Sequence, residues 1–103
     1  MSDKKKGGLD LLDKKKTKLQ PPRKYKVILY NDDYTHMEFV INLLMDIFKK
    51  DYNSAKSIML SVHKSGKGIA GVYSKEIAET KSNICNIISR EKGFPLFSDI
   101  ERE

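Results

Sequence analysis

Residues 25–41 read YKVILYNDDYTHMEFVI, and the periodicity changes partway along. The first seven, YKVILYN, are rich in β-branched and aromatic residues. They alternate so that Val27, Leu29 and Asn31 share one face and Lys26, Ile28 and Tyr30 the other, which predicts a strand over 25–31. From Met37 the apolar residues recur at helical spacing, through Val40, Ile41, Leu44, Ile47 and Phe48, which predicts a helix over about 36–50. THME at its start has the form of a capping box, with the Thr35 hydroxyl accepting from the Glu38 amide and Glu38 reaching back. Lys49 and Lys50 suit the negative end of that helix's dipole. Between strand and helix lies a corner crowded with acceptors: Asn31, Asp32, Asp33 and Thr35.

Downstream, Asn53 or Ser54 is expected to cap a second helix running to about Lys64, with Ala55, Ile58, Met59 and Val62 inward. SGKG reads as a turn and IAGVYS, 69–74, as a second strand of small residues. Ser74 is expected to cap a third helix over 75–91 carrying Ile77, Ala78, Ile84, Ile87 and Ile88. Gly93 stands near its C-terminus and Pro95 beyond it. LFSDIERE is the expected last strand. The order β-α-α-β-α-β predicts an α+β fold, a small three-stranded antiparallel sheet with three helices packed on one face.

The 103 residues suffice for one domain. The formal net charge of +6 points first to nucleic acid, but its distribution does not. Residues 1–24 hold nine Lys or Arg against three Asp, whereas 25–103 hold eleven of each sign. Residues 1–24 are therefore read as a disordered basic tail with a stiff hinge, QPPRK, and 25–103 as the folded core. A small nucleic-acid- or ribosome-associated protein using the Lys-rich tail is the alternative reading. The core's balanced charge and lack of an aromatic stacking motif count against it. No apolar run reaches a membrane span or a signal peptide, so a cytoplasmic location is expected. The one cysteine, Cys85, excludes an internal disulfide and a cysteine-based zinc site.

Four chemistries compete for the corner. Asp32, Asp33, His36 and His63 include possible metal ligands, but neither the EF-hand spacing nor H-E-x-x-H is present, so no metal or cofactor is expected. Adjacent carboxylates suggest acid–base work, but no nucleophile motif accompanies them and an enzyme is not expected. Turn and cap chemistry would use some of these acceptors. The remaining use is a bound cation: a primary ammonium offers three donors and wants three acceptors. His63 lies four residues after Met59 and shares its helix face. With Met37, Val40 and Val62, Met59 would line an apolar slot beside the polar groups.

YKVILYNDDYTHMEFVI, SIMLSVHKSGKGIAGVY and EIAETK together resemble the Clp protease adaptor family, ClpS, over about residues 20–103. The preceding PP and the closing PL also fit. The resemblance implies an adaptor, a monomer and not an enzyme, which binds proteins beginning with Leu, Phe, Tyr or Trp. It implies delivery of these to a ClpA- or ClpC-type AAA+ unfoldase that feeds ClpP, with no nucleic acid or membrane involved. Carried over by position, Asn31, Asp32 and His63 would hold the substrate α-amine. Asp33, Thr35, Met37, Val40, Met59, Val62 and Leu96 would form the side-chain pocket and its rim. Glu76 and Lys81 would contact the unfoldase's N-terminal domain, and the tail would engage the unfoldase during delivery. One departure is His36, where the family often has Pro.

Overall fold

The computed structural model describes residues 22–103. The expected tail and the first part of its hinge lie outside the described residues. Lys24, expected in the hinge, instead opens the first strand. The elements are β1 (Lys24–Tyr30), α1 (Met37–Asp46), α2 (Tyr52–Ser65), β2 (Lys67–Ser74), α3 (Lys75–Glu91) and β3 (Phe97–Arg102). They form the expected β-α-α-β-α-β order with one sheet, β2-β1-β3, antiparallel at both junctions.

The central strand has the most completely buried run, Val27, Ile28 and Leu29, as expected for a strand flanked on both edges. Val27 and Leu29 belong to the main core cluster, whereas Ile28 is buried outside it. A register shift between Val27 and Ile28 lets Ala70 bulge out of the β1–β2 pairing. α3 contacts all three strands, α2 packs against β2, and α1 packs on α2.

α3 has the expected bounds, but of the apolar residues named along it only Ala78 is fully buried. Its buried residues are Ala78, Ser82, Cys85 and Ser89, a stripe of small side chains. Ile77, Ile84 and Ile87 are 49%, 40% and 57% exposed. Small residues let the helix axis approach the sheet, where a row of isoleucines would hold it away. Polar atoms in this contact are satisfied. Ser82 Oγ and Ser98 Oγ are 2.7 Å apart. The Asn86 side chain accepts from the Ser98 amide at 2.8 Å and donates to its carbonyl at 3.1 Å.

Several helix termini differ from expectation. α1 stops at Asp46, not Lys50, because the chain turns through Lys49 in a left-handed conformation (φ 56°). No basic residue lies in the last turn of α1. That role falls to Lys81 of α3, whose ammonium donates to the Ile47 carbonyl at 2.6 Å. α2 is capped by Asp51, which accepts from the Ser54 amide, rather than by Asn53 or Ser54. Ser74 takes the expected cap position on α3 but makes no side-chain bond there. The third helix ends as its sequence implies: Phe94 N–H donates to Ser89 O and Gly93 N–H to Arg90 O. With Gly93 at φ 81° and Pro95 following, this is a Schellman motif.

Between α2 and β2 only Gly66 intervenes, at φ 92°. It ends the helix by donating to Val62 O and accepts from Asn31 N–H at 2.9 Å. A side chain there meets no neighbour, so any penalty is conformational. Gly66→Ala is expected to destabilise the domain by about 1–2 kcal/mol, with a melting temperature lower by roughly 4–8 °C per kcal/mol. Thermal denaturation followed by circular dichroism measures this; an unchanged midpoint would show that the turn can relax to negative φ.

Candidate functional site

The Asn31–Gly66 bond places the end of β1 beside the end of α2. The acceptor-rich corner therefore faces Met59, Val62 and His63, which lie on the last two turns of α2. α1 then starts close by and contributes Met37 and Val40. Leu96, just before β3, reaches the same place. These residues, with Asn31, Asp32, Asp33 and Thr35, surround one cavity of about 180 Å³. The structure thus brings together all ten residues expected at the amine site, the pocket and its rim.

The capping box does not form. His36 is the N-cap of α1 and makes no side-chain cap bond. Thr35 instead donates its hydroxyl to Asp32 Oδ2 at 2.7 Å. Asp32 Oδ1 accepts the amides of Tyr34 and Thr35 at 2.8 and 2.7 Å. A charged acceptor three residues back outcompetes the helix's own first-turn amide for the same side chain. Burial pushes the Asp32 carboxyl up, but the hydrogen bonds from Thr35 and Tyr34 and the positive charge of Arg90 outweigh it and hold the group below its ordinary range. Asp32 is therefore a fixed anion at neutral pH. A carboxylate has about four acceptor sites, and three are occupied within the loop, leaving one for a ligand.

Beside Asn31, Asp33 and His63, the remaining residues of the cavity wall are apolar. Val40, Met59, Val62 and Leu96 are buried, whereas Met37 is 47% exposed and stands at the mouth. An apolar cavity of about 150 Å³ accepts a benzene ring, so this one has room for a single aromatic or branched aliphatic side chain. The arrangement offers a fixed negative charge with neighbouring amide and imidazole groups beside an apolar slot. Among the described residues, no three His, Cys, Asp or Glu side chains converge as a metal cluster would.

Phe94 and Arg90 were not found from the sequence. Phe94 lies between His36 and Phe39, with ring centroids 4.9 Å from each, and so supports the start of α1. Arg90 Nη1 donates to the carbonyls of Phe94 and Leu96 at 2.8 and 2.7 Å. The only signal in the sequence was Gly93 and Pro95, which mark a turn but not what the turn holds.

A second concavity, of about 580 Å³, lies between the end of α1 and the outer face of α3. Ile47, Ile77 and Ile84 line it together with Glu76 and Lys81. The Lys81 ammonium, besides capping α1, sits 5.3 Å from the Tyr73 ring centre and 6.0 Å from that of Phe48, within reach of a cation–π contact. Lys81 thus has a structural role in addition to its place on this surface.

Comparison with known proteins agrees with this architecture. Residues 20–99 match the family described as ATP-dependent Clp protease adaptor protein ClpS. The ATP-dependent Clp protease adapter protein ClpS of Lawsonia intracellularis is 56% identical over 79 residues, 77% of this chain and 72% of that protein. The same-named protein of Vibrio atlanticus is 48% identical over 95 residues, covering 92% of this chain and 90% of its own length. In three dimensions the chain is similar to Agrobacterium tumefaciens ClpS2 bound to L-phenylalaninamide, with a TM-score of 0.78 and 37% identity over 81% of this chain and 100% of that one. Fold, sequence and family match lead to one assignment: this chain belongs to the ClpS family of ATP-dependent Clp protease adaptors.

Proposed function

We propose that the cavity binds the first residue of a polypeptide, with its α-ammonium at Asn31, Asp32 and His63 and its side chain in the apolar slot. The observation that carries this reading is the single remaining acceptor site of a locked, ionised Asp32 at the mouth of a slot sized for one bulky side chain. Leu, Phe, Tyr and Trp are the residues that fill such a slot; burial favours them over Ala or Ser at about 25 cal/mol per Å². The similar Agrobacterium protein, solved with an amino-acid amide bound, supports a ligand of this kind. The bound protein is then handed to a ClpA- or ClpC-type AAA+ unfoldase and degraded by ClpP. Glu76 and the isoleucine-lined groove beside it suit contact with the unfoldase's N-terminal domain, with Lys81 holding the groove's shape.

The test is a set of peptides differing only in their first residue, each with a free and an acetylated N-terminus. Free Leu- and aromatic-initiated peptides are expected to bind and the acetylated ones not to, because acetylation removes both charge and donors. Equal binding of acetylated peptides would sink the proposal.

Asp32→Asn keeps the shape and removes the charge. It is expected to weaken binding by about 1.5–3 kcal/mol, the typical worth of a charge-assisted hydrogen bond. The pH profile follows from the same contact. Asp32 stays ionised down to pH values below its ordinary 3.8, so its titration does not limit binding near neutrality. On the alkaline side an α-amine loses its proton near pH ~8, and affinity for the parent is expected to fall about tenfold per unit above that. Isothermal titration at several pH values measures both effects, and a flat alkaline limb would mean that the charge is not read.

Met37 at the mouth lies where a ligand's β-carbon must pass. Side chains branched at the γ-carbon clear it, whereas Ile and Val, branched at the β-carbon, collide. Met37→Ala is expected to gain roughly 1–3 kcal/mol for Ile- and Val-initiated peptides while largely keeping Leu. Fluorescence anisotropy decides this: no gain for either, with the fold intact, places the gate elsewhere.

A further inference from the structure

Leu96 is 1% exposed and forms part of the cavity wall, yet it belongs to neither a helix nor a strand. It follows the Schellman turn at Gly93 and precedes β3. A connecting segment has no ladder of backbone hydrogen bonds to fix it, so something else must define where this wall stands. One guanidinium nitrogen of Arg90 donates to both Phe94 O and Leu96 O. These are charge-assisted bonds, stronger and more directional than neutral ones. Phe94, held by the first of them, packs on His36 and Phe39 at the start of α1, the helix that supplies Met37 and Val40 to the same cavity.

We propose that Arg90 is a positioning residue that sets the width of the side-chain slot, clamping the segment 94–96 from outside so that Leu96 and the start of α1 keep a fixed separation. The proposal rests on the reading of the cavity as the slot for a first-residue side chain. Arg90 itself does not line the slot. It acts on Leu96 directly and, through Phe94, on the start of α1. The ligand class whose binding depends on it is the set of free N-termini with a large apolar first side chain. A small first residue, which leaves the slot unfilled, depends on it little.

Arg90→Met keeps the aliphatic stem and removes both donations; Arg90→Lys keeps a charge and a single donor centre. Two readouts are paired. In ligand-free protein, hydrogen exchange of the Phe94 amide, which bonds to Ser89 O, is expected to speed up in Arg90→Met and less so in Arg90→Lys. In titrations, Arg90→Met is expected to bind a Phe-initiated peptide roughly tenfold more weakly, the scale of a small misfit in an apolar pocket. An Ala-initiated peptide, measured by NMR shift changes at high concentration, is expected to change less than about twofold. Arg90→Lys should fall between Met and parent. An equal loss for both peptides would mean that Arg90 acts through its charge on the amine site and not through the wall, which overturns the proposal. So would unchanged binding with unchanged exchange. If Arg90→Met does not fold, the same comparison is made between Arg90→Lys and parent. Failure of the parent to prefer a free over an acetylated Phe-initiated peptide would defeat the functional reading instead, and the exchange of Phe94 alone would then decide the clamp.

Discussion

Gly66 is the residue through which the two halves of the cavity meet. Its left-handed backbone ends α2 within one residue of β2. Its carbonyl holds the Asn31 amide. That bond continues the β1–β2 pairing, which joins Tyr30 to Lys67, by one residue, and so brings the corner after β1 to the end of α2, where His63 lines the same cavity. A non-glycine residue can adopt this φ only against steric resistance. The position of a polar corner against an apolar helix face therefore depends on one backbone conformation. Everything that follows in the corner is local: Asp32 gathers Tyr34 and Thr35 around its own carboxylate, and α1 starts from wherever that loop releases it.

The opposite side of the domain follows from side-chain size. Ala78, Ser82, Cys85 and Ser89 are small enough for α3 to lie close on the sheet, and this leaves Ile77, Ile84 and Ile87 outside. Of these, Ile77 and Ile84 line the second concavity beside Ile47, the surface that the proposed function uses for contact with the unfoldase. Lys81 connects the two regions. Its ammonium donates to the Ile47 carbonyl at the end of α1 and lies over the Tyr73 and Phe48 rings. The groove between α1 and α3 is thus lined by a residue that also holds the end of the helix carrying Met37 and Val40.

Much of this was legible in sequence. The element order, the bounds of α3 and the Gly93–Pro95 stop follow from periodicity and turn chemistry. The excess of acceptors at 31–35 over what a helix cap needs was also visible. The grouping of Leu96 with residues more than thirty positions away came from the family resemblance, not from spacing. What failed did so for definite reasons. Thr35 had two possible partners, and sequence cannot weigh a carboxylate three residues back against an amide three ahead. Hydrophobic periodicity marks the apolar face of α3 but not whether the sheet or the solvent receives it. Lys81 caps a helix 34 residues away while Lys49 and Lys50, adjacent in sequence, do not. Arg90 reads as a surface cation until the carbonyls it holds are seen.

Selectivity, on the proposed reading, comes from the separation of the two ends of the cavity. The charged end is rigid, because Asp32 has three of its acceptor sites already occupied and little conformational freedom left to lose on binding. The apolar end is enclosed by packed residues from α1, α2 and the segment before β3. A ligand gains from both only if its ammonium and its bulky side chain leave the same carbon atom. A lysine side chain carries an ammonium but has no such group beside it. An internal Leu or Phe has the bulk, but its amide carries no charge and one donor at most. Because the two ends are fixed relative to each other by Gly66 and by the packing around Leu96, neither can move to accept a ligand that satisfies only the other. Each partial ligand forfeits one whole contribution, and the discrimination is multiplicative in affinity even though each contact is of ordinary strength.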